Sequence, residues 1–477
     1  MSNRISLSLI RHTILCALIL LIGSYVYAAP RERNLRKQTA LDRYVFKPDA
    51  NYRYDLLNTV KGAGYTAFII ELTSQQWRAA EEVDRPLWKH WLVIIQPEKV
   101  TTSTAMLFIN GGSNGSKAPN GADANLAAVA VDTQAVVADL RMVPNEPLTF
   151  KDETKSRTED GIIAYTWEKF LKTGDETWPL RLPMTKAAVR AMDTVTAFCG
   201  EAERGKLRVD KFVVAGGSKR GWTAWTTAAV DDRVTAVVPI VIDVLNNEKS
   251  MEHHFRAYGF WAPAIADYSN LHSWSGTPQY AELMKIEDPY SYRERLTMPK
   301  LIMNSTGDQF FLPDSWQFYF DDLRGEKNLR YIPNTRHDLR NSDARDSLHA
   351  FFESVVKNQP RPRFSWRIEK DGSITVQTKD QPTEVKLWQA TNAKARDFRL
   401  DTIGAVYKSS VLTAKKAGMY HAQIAAPMEG FTAYFVELTF PSGGKYPLKL
   451  TTGVRVTPDK LPFAVPKREA VGAQNNK

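Results

Sequence analysis

An apolar run that ends in two glycines and a serine and passes at once into a helical pattern constrains this chain more than any other segment: Lys211-Phe-Val-Val-Ala-Gly-Gly-Ser218-Lys-Arg-Gly-Trp222. A strand that turns directly into a helix leaves no room for side chains beside the turn, which accounts for Gly216 and Gly217. The same geometry lifts the serine hydroxyl clear of the sheet at a helix N-terminus, as in a nucleophile elbow. The usual elbow has glycine two residues after the serine. Here Arg220 holds that place and glycine arrives one later, at Gly221, which is tolerable if the arginine points outward. Taken alone, the turn reads better as an anion-binding loop or a tight junction capped by a serine, so its partners decide the matter.

The surroundings favour an elbow. Residues 66–72, 91–95, 106–109, 136–139, 212–215, 236–242, 300–304 and 328–332 have strand length and β-branched or aromatic bias. Helical patterns cover 161–171, 185–201 with Thr185 as N-cap, 219–230, 314–323 and 342–356. Early strands without helices, followed by strand–helix alternation, predict a mostly parallel central sheet that begins antiparallel and is flanked by helices. This is an α/β-hydrolase fold over residues 66–357. The alternation stops between 246 and 298, where aromatics crowd (Phe255, Tyr258, Phe260, Trp261, Tyr268, Trp274). That stretch is read as an inserted lid or a small helical core of its own. If it is a lid, Phe260 and Trp261, with Trp222, are the substrate-binding candidates.

A serine nucleophile needs a base and an acid, which follow it in that fold in the order serine, acid, histidine. Of the eight histidines, His337, His349 and His421 follow late enough. His349 sits inside a helical pattern and His421 in a later β region, whereas His337 lies in the loop after the last strand. Asp308 follows the preceding strand and is the candidate acid; its rival Asp314 is explained as a helix-capping residue. Oxyanion donors are expected from the amide of Lys219 and from the Gly111–Gly112 loop after the third strand, where adjacent glycines let the backbone turn its amides toward the site. Four elements in the required order support a Ser218–Asp308–His337 triad. Such chemistry needs no cofactor and no metal.

The ends differ in character from the middle. Arg4 and Arg11 precede an apolar run over 14–22, followed by small residues at Val26-Tyr27-Ala28. Residues 1–28 read as a cleaved secretory signal peptide, since the run is shorter than the ~20 residues of a bilayer span. Cys16 sits within the run, behind a bulky leucine, and is a poor lipidation site. Cleavage leaves Cys199 as the lone thiol, on the apolar face of a helix, where a buried structural role is expected. Residues 29–65 are polar and read as an arm docking on the main domain. After the breaker Asn358-Gln359-Pro360-Arg361-Pro362, alternating segments separated by Asp371-Gly372 and Ser442-Gly443-Gly444 predict an all-β, sandwich-like domain over 363–457. A tail covers 458–477.

Sixty-three basic against 53 acidic residues give a net charge of +10 and favour anionic envelope surfaces or acidic substrates. The charges are dispersed and no nucleic-acid motif is present, so a nucleic-acid partner is not expected.

Several further motifs now bear on the reading: Thr39-Ala-Leu-Asp42-Arg-Tyr44, Leu72-Thr-Ser74-Gln75-Gln-Trp77, Val83-Asp84-Arg85-Pro86-Leu-Trp88-Lys89-His90-Trp91, Arg157-Thr-Glu159-Asp160, Ser218-Lys219-Arg220-Gly221-Trp222, Asp288-Pro-Tyr290-Ser-Tyr292 and Gly307-Asp308-Gln-Phe-Phe-Leu-Pro313-Asp314. With these, nearly the whole mature chain resembles the PhoPQ-activated pathogenicity-related proteins, exported α/β-hydrolase-like proteins. The resemblance implies that the displaced glycine is a family trait, and it implies links to virulence and antimicrobial-peptide resistance, with no established substrate. It also implies a fold similar to that of dipeptidyl-peptidase-like enzymes, although no glutamate pair clearly matches their amine-binding site. His90 is read as structural, and Arg157, Glu159 and Asp160 as a helix start with a partner arginine. Two functions follow: a periplasmic or secreted serine hydrolase acting on a small-molecule or peptide ester or amide, or a non-catalytic binding or signalling factor on the same fold.

Overall fold

The computed structural model describes residues 38–465. The segment read as a signal peptide, Cys16 and the end of the C-terminal tail lie outside the described residues.

Thr39 and Asp42 close a reciprocal capping box that starts α1 (Ala40–Phe46). Strands β1 (Arg53–Gly62), β2 (Tyr65–Gln76) and β3 (Leu87–Pro97) then run antiparallel. The stretch read as a polar arm therefore holds a helix and an edge strand. β1 is exposed along most of its length, so it lacks the apolar alternation by which a strand is recognised.

The elements β4 (Thr104–Ile109), α2 (Ala124–Thr133), β5 (Val137–Leu140), α3 (Glu159–Thr173), α4 (Arg181–Gly200), β6 (Lys211–Gly217), α5 (Lys219–Val230) and β7 (Val234–Ile240) follow. Next come α6 (Asn247–Tyr258) and α7 (Pro278–Glu287), with 3-10 turns at Pro263–Trp274 and Pro289–Arg295, forming the inserted stretch. Then come β8 (Lys300–Ser305), β9 (Lys327–Ile332) and α8 (Ala344–Val356). All eight expected strands are present, as β2 to β9. Along β5-β4-β6-β7-β8-β9 every pairing is parallel.

Side chains alternate between two cores. Phe212 and Val214 of β6 face the layer of α4 and α5, while Val213 and Ala215 face α2 and α8. Helices thus cover both faces, the α/β-hydrolase arrangement. β5 lies on one side of β4 and β6 on the other, so the connections diverge there and open a crevice at the strand ends. The Gly111 loop follows β4 and Ser218 follows β6, which places both at that crevice.

Two helix expectations need correction. α4 starts at Arg181, and Thr185 is interior, its hydroxyl donating to Arg181 O at 2.8 Å. Pro183 is tolerated in the first turn, where the missing N–H costs nothing. Residues 314–323 form only a 3-10 turn at Ser315–Phe318, and the Asp314 side chain caps nothing. It is buried against Arg396 and His253 instead.

The C-terminal region contains β10 (Phe364–Ile368), β11 (Ile374–Thr378), β12 (Glu384–Asn392), α9 (Leu400–Ile403), β13 (Lys408–Val411), β14 (Met419–Ala422), β15 (Phe431–Phe440), β16 (Leu448–Thr451) and β17 (Arg455–Thr457). β10, β11 and β14 make one sheet, and the others continue the central sheet through β16 beside β9. Buried Arg330 of β9 bonds Glu437 of β15 across this join at 2.5 Å. The region read as an all-β domain thus holds the short helix α9 and is hydrogen-bonded to the hydrolase sheet, which is fourteen-stranded among the described residues. Cys199 is buried, and burial pushes its thiol up to about 12, out of reach of thiolate chemistry. Among the described residues no helix is long and apolar enough to cross a membrane.

Candidate active site

Ser218 adopts φ 57° and ψ −128°, a region that costs a non-glycine residue about 1–3 kcal/mol. Its N–H donates to Ile240 O at 2.8 Å, which ties the turn to β7. The crowding expected of an elbow is explicit at Gly216 and Gly221 but not at Gly217, where a Cβ would meet nothing within 4 Å. A Cβ on Gly216 would sit 2.6 Å from Arg220 O, and one on Gly221 would sit 2.7 Å from Gly216 O and 3.0 Å from Ile240 N. Gly221 therefore makes the close helix–sheet approach, which frees the preceding position for a long side chain. The Lys219 amide is the first N–H of α5 and has no intrahelical acceptor.

Asp308 and His337 are brought together. Nδ1 of His337 lies 2.8 Å from Asp308 Oδ2 and 3.0 Å from Oδ1. Phe310 N–H donates to Asp308 Oδ1 at 2.8 Å, and Gln309 Oε1 accepts from His337 N–H at 3.1 Å. Nε2 of His337 is buried and has no hydrogen-bond partner among the described residues, so no bond to Ser218 Oγ is formed in this structure. The imidazole packs against Phe310 and Phe311, with centroids 4.3 and 6.0 Å away, and both rings line a cavity together with Ser218.

That cavity, of about 460 Å³, is walled by Ser218, Lys219, Trp167, Trp222, Trp261 and Tyr268, with Arg181 and His272 contributing polar atoms. Trp261 stacks on His272 at 3.7 Å, and burial lowers His272 to about 4, so its ring is neutral at pH 7. Of the three aromatics read as substrate-binding candidates, Trp222 and Trp261 line this cavity. Phe260 does not: it is 43% exposed, stacked on Tyr258 and covered by Arg399. Adjacent aromatics in an irregular segment face opposite ways, and sequence does not say which faces in.

Gly111 and Gly112 are not among the residues lining the cavity. The Gly111 N–H donates to Asn110 Oδ1 at 3.0 Å and is already engaged. His90 bonds Ser74 Oγ at 2.9 Å and Met142 O at 3.0 Å, and burial lowers it to about 4. His349 is buried in α8, and His421 lies on β14.

A charged network beside the elbow escaped the sequence reading. Lys219 Nζ pairs with Glu159 and with Asp160 at 3.4 Å, and Arg220 Nη2 pairs with Glu159 at 2.8 Å. Glu159 N–H donates to buried Glu146 at 2.5 Å. Burial and the charge of Glu159 raise Glu146 above the usual carboxylate range. Burial pushes Glu159 up as well, but Arg220 and Lys219 outweigh it and hold that carboxyl low. Arg157 pairs with Glu153 instead. The Thr-Glu-Asp start of α3 was the visible signal, but nothing local shows that its cations come from the elbow. Buried Arg181 is balanced by Glu287 at 3.4 Å and donates to Lys219 O at 2.5 Å.

An elbow at the crevice of a mostly parallel, helix-covered sheet, with an aspartate–histidine pair beside the same cavity, defines an α/β-hydrolase-fold protein. The chain belongs to the PhoPQ-activated pathogenicity-related protein family, which it matches over residues 41–399. It is 39% identical over 459 residues to autocrine proliferation repressor protein A of Dictyostelium discoideum, covering 89% of this chain and 92% of that one. Among solved structures it is similar to acetyl xylan esterase 1 from a Thermoanaerobacterium species, at 13% identity and TM-score 0.46 over 66% of this chain and 92% of that one. It is also similar to an acylaminoacyl peptidase of Pyrococcus horikoshii, at 11% and 0.39 over 65% and 51%. The fold follows from this chain's own strand order and elbow, independently of these distant likenesses.

Proposed function

We propose that this chain is an exported serine hydrolase that cleaves an ester or amide carrying an apolar or aromatic group. The observation that carries the reading is the strained Ser218 opening onto an aromatic cavity whose wall, Phe310 and Phe311, also packs the Asp308-bound imidazole. Ser218 Oγ attacks the carbonyl carbon while His337 Nε2 takes its proton. The oxyanion is held by the Lys219 amide and by the Gly111–Gly112 loop, through Gly112. His337 then protonates the departing alcohol or amine, and water repeats the sequence on the acyl-serine. Asp308 fixes the imidazole tautomer and stabilises the imidazolium. Catalytic hydrogen bonds of this kind are often open in the free protein and tighten in the substrate complex.

Purified chain lacking residues 1–28 is screened against p-nitrophenyl esters and aminoacyl-p-nitroanilides, beside Ser218→Ala. Turnover of one class, lost in the variant, is expected; equal rates in both overturn the reading.

A second reading is a non-catalytic binding or signalling factor, favoured by the name of the Dictyostelium relative and by the unformed serine–histidine bond. Salt-dependent binding to anionic vesicles, unchanged in Ser218→Ala, supports it, with the +10 net charge as the attraction.

A further inference from the structure

We infer that Arg220 is a positioning residue that fixes the Asn110–Gly112 loop against the nucleophile elbow, an inference that rests on the hydrolase reading above. α5 sends Arg220 away from the cavity and across the loop that follows β4. Its guanidinium lies on Gly111: a Cβ there would be 2.7 Å from Nη2 and 3.0 Å from Cζ. Only a glycine leaves this place open.

The same side chain grips the segment that holds the loop. Arg220 Nε donates to Val143 O at 2.6 Å. Val143 N–H in turn donates to Asn110 O at 3.1 Å, and Met142 N–H to Gly111 O at 2.9 Å. Further on, Asn114 N–H donates to Glu146 O. His90, buried beneath, faces the Met142 carbonyl at 3.0 Å and steadies the segment from the sheet side. One arginine, two residues after the nucleophile, therefore touches the loop and the strip of chain to which the loop is hydrogen-bonded.

Its far end is fixed by carboxylates. Arg220 Nη2 reaches Glu159 at 2.8 Å and Glu146 at 3.6 Å, while Lys219 Nζ takes the other oxygen of Glu159. A planar fork serves a backbone carbonyl and a carboxylate together, which the point charge of a lysine does not. The separation between the Lys219 amide, fixed by α5, and the Gly112 amide, fixed by the loop, is thus set by Arg220. This gives the arginine of the displaced elbow a task.

The test uses Arg220→Met, Arg220→Lys, Gly111→Ala and the double variant Gly111→Ala/Arg220→Met in the full mature chain. Losing alignment of one oxyanion donor lowers kcat by about 10²-fold with KM nearly unchanged, and that is expected of Arg220→Met. Arg220→Lys recovers part of the loss. Backbone amide exchange of residues 111–114 accelerates in Arg220→Met. Gly111→Ala displaces the guanidinium, and the double variant is no worse than the poorer single one, because both remove the same contact. Wild-type kcat together with unaltered exchange in Arg220→Met, or additive losses in the double variant, overturn the inference. If wild type turns nothing over but Arg220→Met still speeds loop exchange, the hydrolase reading falls while the strut stands.

Discussion

The nucleophile half of the site, from Gly216 to Trp222, is one strand, one turn and one helix contiguous in sequence, whereas the acid–base half hangs on the C-terminal β region. On the first side, the fit of Gly216 against Arg220 and of Gly221 against Ile240 sets the geometry within a few residues. On the second, Leu400 N–H donates to Gly307 O at 3.0 Å next to Asp308, and the Asn334 side chain exchanges two hydrogen bonds with the Tyr407 backbone. Arg396 neutralises Asp314, and Arg336 pairs with Asp401. The C-terminal region therefore does more than decorate the hydrolase sheet: it holds the two loops that carry Asp308 and His337. The contrast also separates two kinds of sensitivity, one to crowding at the elbow and one to loss of contacts distant in sequence.

The largest expected effect lies within the acid–base half. Asp308→Asn and His337→Ala should each lower kcat by about 10⁴-fold with little change in folding, measured on whichever chromogenic substrate the screen identifies. Next comes the join to the C-terminal region. Arg396→Met strips the main counter-charge from buried Asp314, which Arg396 and His253 hold well below its usual range against the upward push of burial. Breaking such a pair costs about 3–5 kcal/mol. Denaturant melts should show this, and His337-dependent chemistry should weaken more than the elbow does.

Gly221→Ala strikes the other half. Its Cβ would press on Gly216 O and Ile240 with backbone on every side, and overpacking of this kind costs about 1–3 kcal/mol. The same substitution at Gly217, where a Cβ meets nothing within 4 Å, should be nearly neutral in the melt.

A further expected effect is a dependence on pH. Asp243, buried behind the acid–base half and bonded by the Tyr319 and Tyr331 hydroxyls at 2.6 and 2.5 Å, is raised to about 8, chiefly by burial. The folded chain keeps this proton where the unfolded chain has lost it. The stability it contributes is complete below pH about 4 and is lost as pH rises toward 8. Asp243→Asn should flatten that slope in melts taken from pH 4 to 8.

The same contrast explains what sequence could reveal. The elbow was legible because strand, glycines and serine are neighbours, and the eight strands β2 to β9 were legible because their buried stretches, antiparallel in β2 and β3 and parallel from β4 to β9, are near-continuous apolar runs. Asp308 and His337 were legible through their order after strands, not through any contact. What escaped depends on partners far along the chain. Glu159 and Asp160 look like an ordinary acidic helix start until Lys219 and Arg220 meet them. Asp314 looks like a cap until Arg396 arrives. The join of β16 to β9 rests on the one register pair Thr451–Leu329, and the edge strand β1, exposed along most of its length, carries no clear alternation.

The central claim is that Ser218 is a nucleophile served by His337. Its most direct test is fluorophosphonate labelling of the chain lacking residues 1–28, followed by peptide mapping of the modified residue. A single phosphonylated serine is expected at Ser218, absent in Ser218→Ala and formed far more slowly in His337→Ala. Labelling of wild type no greater than that of Ser218→Ala, or a label mapped to another residue, would contradict it.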